Sequence, residues 1–194
     1  MSRAAKSKKL PSYEDILALP EGITGEIIDG ELLTSPRPHP IHQYSMLKLS
    51  TPLDAKYGRG GGARGGWLFL TEPQLHLQEY HVVPDIAGWR VERLPGAPAM
   101  VFTQPVVTAT PQWVCEILSP TSGKRDRVLK RRIYLNLKID YYWIIDPLNQ
   151  TVEAYRASDP AQWTEIGVFG GDEKAKIEPF GDMELDLSTL WLGK

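Results

Sequence analysis

Short apolar segments that look like buried strands alternate with helical patterns along this sequence, and this order restricts the possible folds. Trp113 to Leu118 and Tyr141 to Ile145 are too short for buried helices and are rich in aromatic and β-branched residues. The predicted order is helix, strands, helix, strands, helix, strands. This order predicts an α/β (α+β) fold with a mixed central sheet flanked by helices.

Local signals place the individual elements. Ser12 followed by Asp15 resembles a capping box that opens a first helix, and Asp29-Gly30 predicts a hairpin turn within 26–33. A second helix is expected over 42–57, where Pro52 should kink or interrupt it. A basic helix is expected over 125–137, and residues 93–105 are expected to form a surface loop. The other predicted strands cover 68–77, 82–87, 151–155 and 163–169.

Length and composition indicate one ordinary globular domain. The chain has 194 residues, so we expect a single domain over 12–194, preceded by a flexible basic tail over 1–11. The single cysteine, Cys115, excludes an internal disulfide and a zinc site built from several cysteines, and its apolar neighbours predict a buried side chain. No segment is apolar enough to cross a membrane or to act as a signal peptide, so we expect a cytoplasmic protein.

Basic residues are concentrated in two places, although the formal net charge is −2. A glycine-rich loop at 58–66 carries Arg59 and Arg64, which could contact DNA phosphates, but it lacks the ending of a P-loop. The second concentration is either a solvated helix face or a phosphate-neutralising surface. Its members are Lys124, Arg125, Arg127, Lys130, Arg131 and Arg132.

Two acids occupy positions that are costly for a charge. Asp85 follows Pro84 at the end of an apolar strand signal, and Glu116 lies inside another apolar strand 31 residues later. A carboxylate among Trp, Val and Leu is unfavourable unless it is paired or binds a cation. If the two strands are adjacent, the acids would share a Mg²⁺ ion and activate a phosphate ester. Alternatively, Asp85 caps a turn and Glu116 pairs with a basic side chain.

A longer series of motifs resembles a known family. The segments are Val83-Pro84-Asp85-Ile86, Val114 to Ser122, Asp126 with Lys130, Tyr142 to Pro147, and the hairpin Glu26 to Leu32. Together they resemble the Uma-two family of the PD-(D/E)XK nuclease superfamily. The resemblance runs from about residue 12 to residue 192. It implies a restriction-endonuclease-like core that cleaves DNA with Mg²⁺ or Mn²⁺.

The resemblance also implies roles for single residues. Asp85 matches the first acid, Glu116 the second, and Glu26 an acid from the N-terminal part of the core. The superfamily has a lysine two residues after the second acid, whereas this chain has Leu118 there. Lys130 would replace that lysine, with Lys124 as the alternative.

Three further residues near these motifs have two possible roles each. Asp126 is either an accessory site residue or a carboxylate that stabilises a helix N-terminus. His42 is either a base or phosphate ligand at the site edge or a structural helix histidine. Tyr134 either packs or lines the site, and Arg125 and Arg127 are candidate nucleic-acid contacts.

Two other functions compete with a nuclease. The missing lysine after Glu116 would suit a catalytically degenerate module that binds DNA or another protein. A structural dimer that exposes strand 74–78 is a third possibility. We expect a homodimer in the nuclease case, because cutting two strands needs two sites.

Overall fold

The computed structural model describes residues 10–58, 66–119, 123, 125–159 and 162–193. Its helices are α1 (Tyr13–Leu17), α2 (Pro40–Tyr57), α3 (Pro98–Val101) and α4 (Arg131–Asn136), with a π-helical turn at Arg125–Lys130 and 3₁₀ turns at Val91–Arg93 and Leu187–Leu190. Its strands are β1 (Ile23–Ile28), β2 (Glu31–Pro36), β3 (Trp67–Thr71), β4 (Leu75–Leu77), β5 (Tyr80–Val82), β6 (Ile86–Arg90), β7 (Trp113–Ile117), β8 (Tyr141–Asp146), β9 (Thr151–Asp159), β10 (Gln162–Gly170), β11 (Lys174–Ala175) and β12 (Leu185–Asp186).

The strands form one large sheet and two smaller ones. The large sheet has the order β10-β9-β8-β7-β6-β3, and a four-stranded sheet has the order β2-β1-β5-β4. Within the large sheet, β7 and β8 run parallel and the other adjacent pairs run antiparallel. The mixed sheet with flanking helices confirms the predicted fold class.

Apolar side chains cover both faces of the large sheet. Along β7, Trp113, Cys115 and Ile117 pack on the face that contacts α2 and the C-terminal segment. Val114 faces the other way, toward α4 and the small sheet. Glu116 therefore shares its face with Val114, because side chains alternate along a strand.

Several local signals gave the right structure. The Ser12 backbone N–H donates to the Asp15 carboxylate at 2.7 Å, which confirms the capping box. Asp29 and Gly30 both have positive φ, 50° and 73°, as a two-residue type I′ hairpin turn requires. The single cysteine is buried, as predicted. Within the described part of the chain, no helix is both long and apolar enough to cross a membrane.

Proline split two predicted strands but did not interrupt the predicted second helix. The predicted strands at 68–77 and 82–87 each split, because Pro73 and Pro84 have no N–H for a ladder bond. Segment 83–85 therefore connects the small sheet to the large one. Pro52 does not interrupt α2, because burial of Leu49, Leu53 and Tyr57 outweighs the lost helical hydrogen bond.

Two other elements also differ from the prediction. The expected loop at 93–105 contains the short helix α3. The expected basic helix begins as the π-helical turn and becomes α-helical only at Arg131. The glycine-rich loop residues 59–65 lie outside the described residues.

Candidate active site

A cleft of about 300 Å³ lies where the small sheet meets one end of the large sheet. Strand β1, the 83–85 connection, β7, the start of α2 and the π-helical turn all contribute to its wall. The ionisable side chains that line it are Glu26, Arg37, His39, His42, Glu72, Asp85, Glu116, Arg125, Asp126 and Lys130.

Glu116 and Lys130 form a buried ion pair at the bottom of the cleft. The Lys130 Nζ atom lies 3.0 Å from Glu116 Oε1, and each side chain is 3% exposed. The Tyr134 hydroxyl, one turn further along the helical segment, donates to the same oxygen. Two donors therefore fix the orientation of Glu116. Lys130 is the basic partner that the alternative prediction for Glu116 required.

The same ammonium group also holds Glu26. Glu26 Oε1 lies 3.0 Å from Lys130 Nζ and accepts a 2.9 Å hydrogen bond from the backbone N–H of Val83. Asp126 Oδ1 is 3.9 Å from Lys130 Nζ. Lys130 is therefore the common neighbour of three acids that come from a strand, a second strand and the π-helical turn.

Asp85 approaches from the connection between the sheets. Its Oδ2 accepts a 2.6 Å hydrogen bond from the backbone N–H of Ile117 and lies 3.0 Å from His42 Nε2. Strands β6 and β7 pair Ile86 with Cys115, so one further step of this register sets Asp85 opposite Glu116. Both acids line the same cleft.

Burial and charge shift the titration of these groups. Burial raises the pKa of Glu116 well above that of an ordinary carboxyl, Lys130 opposes this rise, and Asp85, Asp126 and Glu26 add to it. Burial lowers the pKa of Lys130, but the surrounding acids, above all Glu116, raise it above the usual lysine value. Lys130 is therefore a permanent cation.

His42 is held by its contact with Asp85. Burial lowers the pKa of His42, but the hydrogen bond and the charge of Asp85 raise it more, so the net pKa is above the usual histidine value. The Nδ1 atom of His42 is buried and has no hydrogen-bond partner among the described residues. This burial favours an orienting contact with Asp85 over direct contact with a ligand.

The acids of the cleft fit a divalent metal of the magnesium type. Their oxygens are the ligands that Mg²⁺ and Mn²⁺ prefer. Among the side chains that line the cleft, acids outnumber lysines and arginines. Within the described residues, no three His, Cys, Asp or Glu side chains are arranged as a metal site. A Mg²⁺ ion commonly uses one or two carboxylates and completes its shell with water and substrate phosphate. Asp85 and Glu116 fit that minimal donor set.

The structure brings most of the sequence-predicted residues together. Glu26, His42, Asp85, Glu116, Asp126 and Lys130 line the cleft, and Tyr134 contacts Glu116 from behind. Arg125 lies at the cleft, where its Nη1 donates to Ser35 at 2.9 Å and is 4.0 Å from Glu26. Arg127 does not line the cleft. Lys124, Arg59 and Arg64 lie outside the described residues, so their predicted roles remain predictions.

Sequence reasoning missed several cleft residues. Arg37 and His39 stand between prolines in a segment without a helix or strand pattern, and the charge of Arg37 was the available signal. Ser35, the partner of Arg125, lies in a strand with no distinguishing pattern. Glu72 also lies at the cleft, and its charge raises the pKa of His42. Its backbone has a positive φ of 48°, which the local sequence does not predict.

Comparisons with known proteins agree with this structure. A family model described as "Putative restriction endonuclease" matches residues 10–188. The crystal structure of a putative nuclease of the DUF820 family from Anabaena variabilis has the same fold, with a TM-score of 0.70, 24% identity, and coverage of 91% of this chain and 95% of that chain. No curated protein matches the sequence. The chain therefore belongs to the Uma2 family of restriction-endonuclease-like nucleases, as the sequence motifs indicated.

Proposed function

We propose that this protein is a Mg²⁺- or Mn²⁺-dependent endonuclease that hydrolyses phosphodiester bonds of DNA. The observation that supports it most is the convergence of Glu26, Asp85 and Glu116 on one cleft, with Lys130 at 3.0 Å from two of them. Family membership supports the nuclease chemistry at a coarser level. A homodimer, in which each protomer's cleft would cut one strand of the DNA, fits the same proposal.

Each side chain has a distinct task in this proposal. Asp85 and Glu116 would hold the metal, which when bound polarises a phosphoryl oxygen and lowers the pKa of a bound water. His42 and the Ile117 N–H orient Asp85, while Tyr134 orients Glu116. Lys130 supplies a permanent positive charge against the negative charge that grows on the phosphate in the transition state. Glu26 holds that ammonium group in place.

The substrate would enter past Arg125 and Arg37 at the cleft. Both carry a permanent charge that attracts a phosphate, and Arg125 is already positioned by Ser35. DNA is the expected substrate because the family is one of restriction-endonuclease-like proteins.

A plasmid-nicking assay tests the proposal. Supercoiled plasmid is incubated with purified protein and Mn²⁺, beside Asp85→Ala and the matched variant Asp140→Ala, whose acid pairs with Arg93 at the surface. We expect nicking by the wild type and by Asp140→Ala, and none by Asp85→Ala. Equal nicking by all three proteins would refute the assignment, because cleavage would then not depend on the Asp85 carboxylate.

One observation favours a second function, a nuclease fold that binds DNA or protein without cutting. Lys130 already forms ion pairs with both Glu116 and Glu26, and the described residues contain no complete metal cage. Thermal unfolding at increasing Mn²⁺ separates the two functions, because a ligand that binds only the folded state raises Tm. A Tm that Mn²⁺ does not move, together with DNA binding, would support the non-catalytic module.

A further inference from the structure

We propose that Arg127 is a positioning residue that acts through Lys130, rather than a contact for nucleic acid. This inference rests on the proposed nuclease function and assigns a role to a residue that lies outside the cleft. Arg127 belongs to the same π-helical turn as Lys130, three residues before it. The contacts of its guanidinium group carry the argument.

The Arg127 guanidinium group is already bound to two acids of the large sheet. Its Nη2 lies 2.7 Å from Glu153 Oε1 and 3.3 Å from Asp146 Oδ2, and its Nε donates to Glu153 Oε1 at 2.9 Å. These bonds orient the planar group along the sheet surface. A phosphate would have to compete with both carboxylates for it.

Both acids are themselves fixed by other contacts. Asp146 accepts hydrogen bonds from the backbone N–H and the side-chain amide of Asn149, at 3.0 and 2.9 Å. Glu153 Oε2 accepts a 2.8 Å bond from the Tyr155 hydroxyl. The two acids therefore form a preorganised binding site for Arg127. Burial raises the pKa of Asp146, but its hydrogen bonds with Asn149 and Arg127 lower it more, so the net pKa is below its usual value.

The sheet register relates the position of the acids that bind Arg127 to the position of Glu116 in the cleft. Glu116 on β7 is paired with Ile144 on β8, and Ile144 is paired with Glu153 on β9. Glu116 and Glu153 thus lie on one face, on opposite sides of β8. The π-helical turn bridges this row, with Lys130 bound to Glu116 at one end and Arg127 bound to Glu153 at the other.

A third contact fixes the turn between these two ends. The Tyr142 hydroxyl, on β8, donates to the backbone carbonyl of Asp126 at 3.0 Å. This bond, the two ion pairs and the packing of Leu129 against the core hold the turn on the sheet. Loss of the Arg127 pair would free one end, and the Lys130 ammonium group would move away from Glu116 and Glu26.

Single-turnover cleavage and DNA binding distinguish positioning from phosphate contact. The variants are Arg127→Met and, from the sheet side, Glu153→Gln, with Arg93→Met as the matched loss of an exposed arginine. We expect the cleavage rate to fall about ten- to a hundredfold in the first two, since small misplacements of catalytic groups have effects of this size. The DNA Kd and its salt dependence should not change. A weaker Kd with a salt slope reduced by about one, at a normal cleavage rate, would overturn the inference.

A second measurement does not depend on cleavage. Lys130 is 3% exposed and should resist an amine-acylating reagent, which peptide mass spectrometry follows. In Arg127→Met the labelling of Lys130 should accelerate about tenfold or more, because the turn opens locally. Gly167→Ala, whose added methyl would lie 2.9 Å from the Phe169 ring in β10, is the control for general destabilisation and should leave Lys130 protected.

The outcomes separate this inference from the proposed function. A wild-type protein that does not cut DNA refutes the nuclease function, whereas the labelling result still tests the positioning role. A cutting wild type whose Arg127→Met and Glu153→Gln variants keep both the cleavage rate and the protection of Lys130 refutes the positioning role alone.

Discussion

Replacement of Lys130 by methionine should strongly destabilise the folded protein. Methionine keeps most of the apolar stem of lysine, so the variant removes mainly the ammonium charge. In the wild type this charge lies 3.0 Å from both Glu116 and Glu26, whose side chains are 3% and 5% exposed. The variant therefore leaves two buried carboxylates without their cation.

The size of the effect follows from that geometry. Removal of one partner of a buried ion pair costs about 3–5 kcal/mol, because the remaining charge is desolvated and unpaired. At roughly 2–4 °C per kcal/mol for a domain of this size, Tm should fall by roughly 6–20 °C. The loss should also depend on pH. A carboxyl whose folded-state pKa is raised loses stability as the pH rises above its unfolded pKa, so the deficit should grow from about pH 5 to pH 8.

Urea unfolding of Lys130→Met, followed by tryptophan fluorescence in metal-free buffer, measures this loss. Lys48→Met on α2 is the matched control, since Lys48 is exposed and its ammonium group lies over the Tyr44 ring. It should change the free energy of unfolding by less than about 0.5 kcal/mol. Equal unfolding free energies for the two variants at pH 8 would refute the buried ion pair.

Three smaller predictions follow from other contacts. Arg125→Met should weaken DNA binding and reduce its salt slope by about one in a filter-binding titration, because a phosphate contact would be lost. Asp146→Asn should destabilise the protein by about 1 kcal/mol at pH 7, and the difference in urea unfolding should vanish as the pH falls below about 4, because the lowered pKa of Asp146 gives stability only while it is ionised. Gly88→Ala should cost about 1–3 kcal/mol, read as a lower Tm, since the added Cβ would lie 3.0 Å from the Phe69 ring and 3.2 Å from Trp113.

The sequence predicted the fold class and singled out Asp85 and Glu116 as candidate acids, because both predictions depend on local chemistry. An acid within an apolar strand must find a partner, and this reasoning identified Glu116 before any fold was known. The Asp-Gly turn fixed the hairpin that presents Glu26, since both turn residues need positive φ. These features need no information about distant contacts.

Long-range contacts could not be predicted in the same way. The bond from the Ile117 N–H to Asp85 depends on how segment 83–85 crosses from one sheet to the other. The pairing of Arg127 with Asp146 and Glu153 depends on the register of β8 and β9, which no local pattern specifies. The basic cluster as a charge pattern predicted a helix face or a phosphate-neutralising surface, and only the family resemblance selected Lys130. The structure buries Lys130 at the cleft and binds Arg127 to the sheet.

The lysine shows why spacing along the chain is a weaker criterion than position in space. Judged by spacing, Leu118 replaces the superfamily lysine and the site looks incomplete. Leu118 is buried among the apolar residues that face the small sheet, so a lysine there would bring a second charge into that core. Lys130 instead brings its ammonium group from the π-helical turn to within 3.0 Å of the Glu116 carboxylate. A π-helical turn suits this displacement, because such turns alter the direction of side chains locally and occur often at functional sites. In the proposed reaction, the fixed cation beside the second acid would therefore come from a different element.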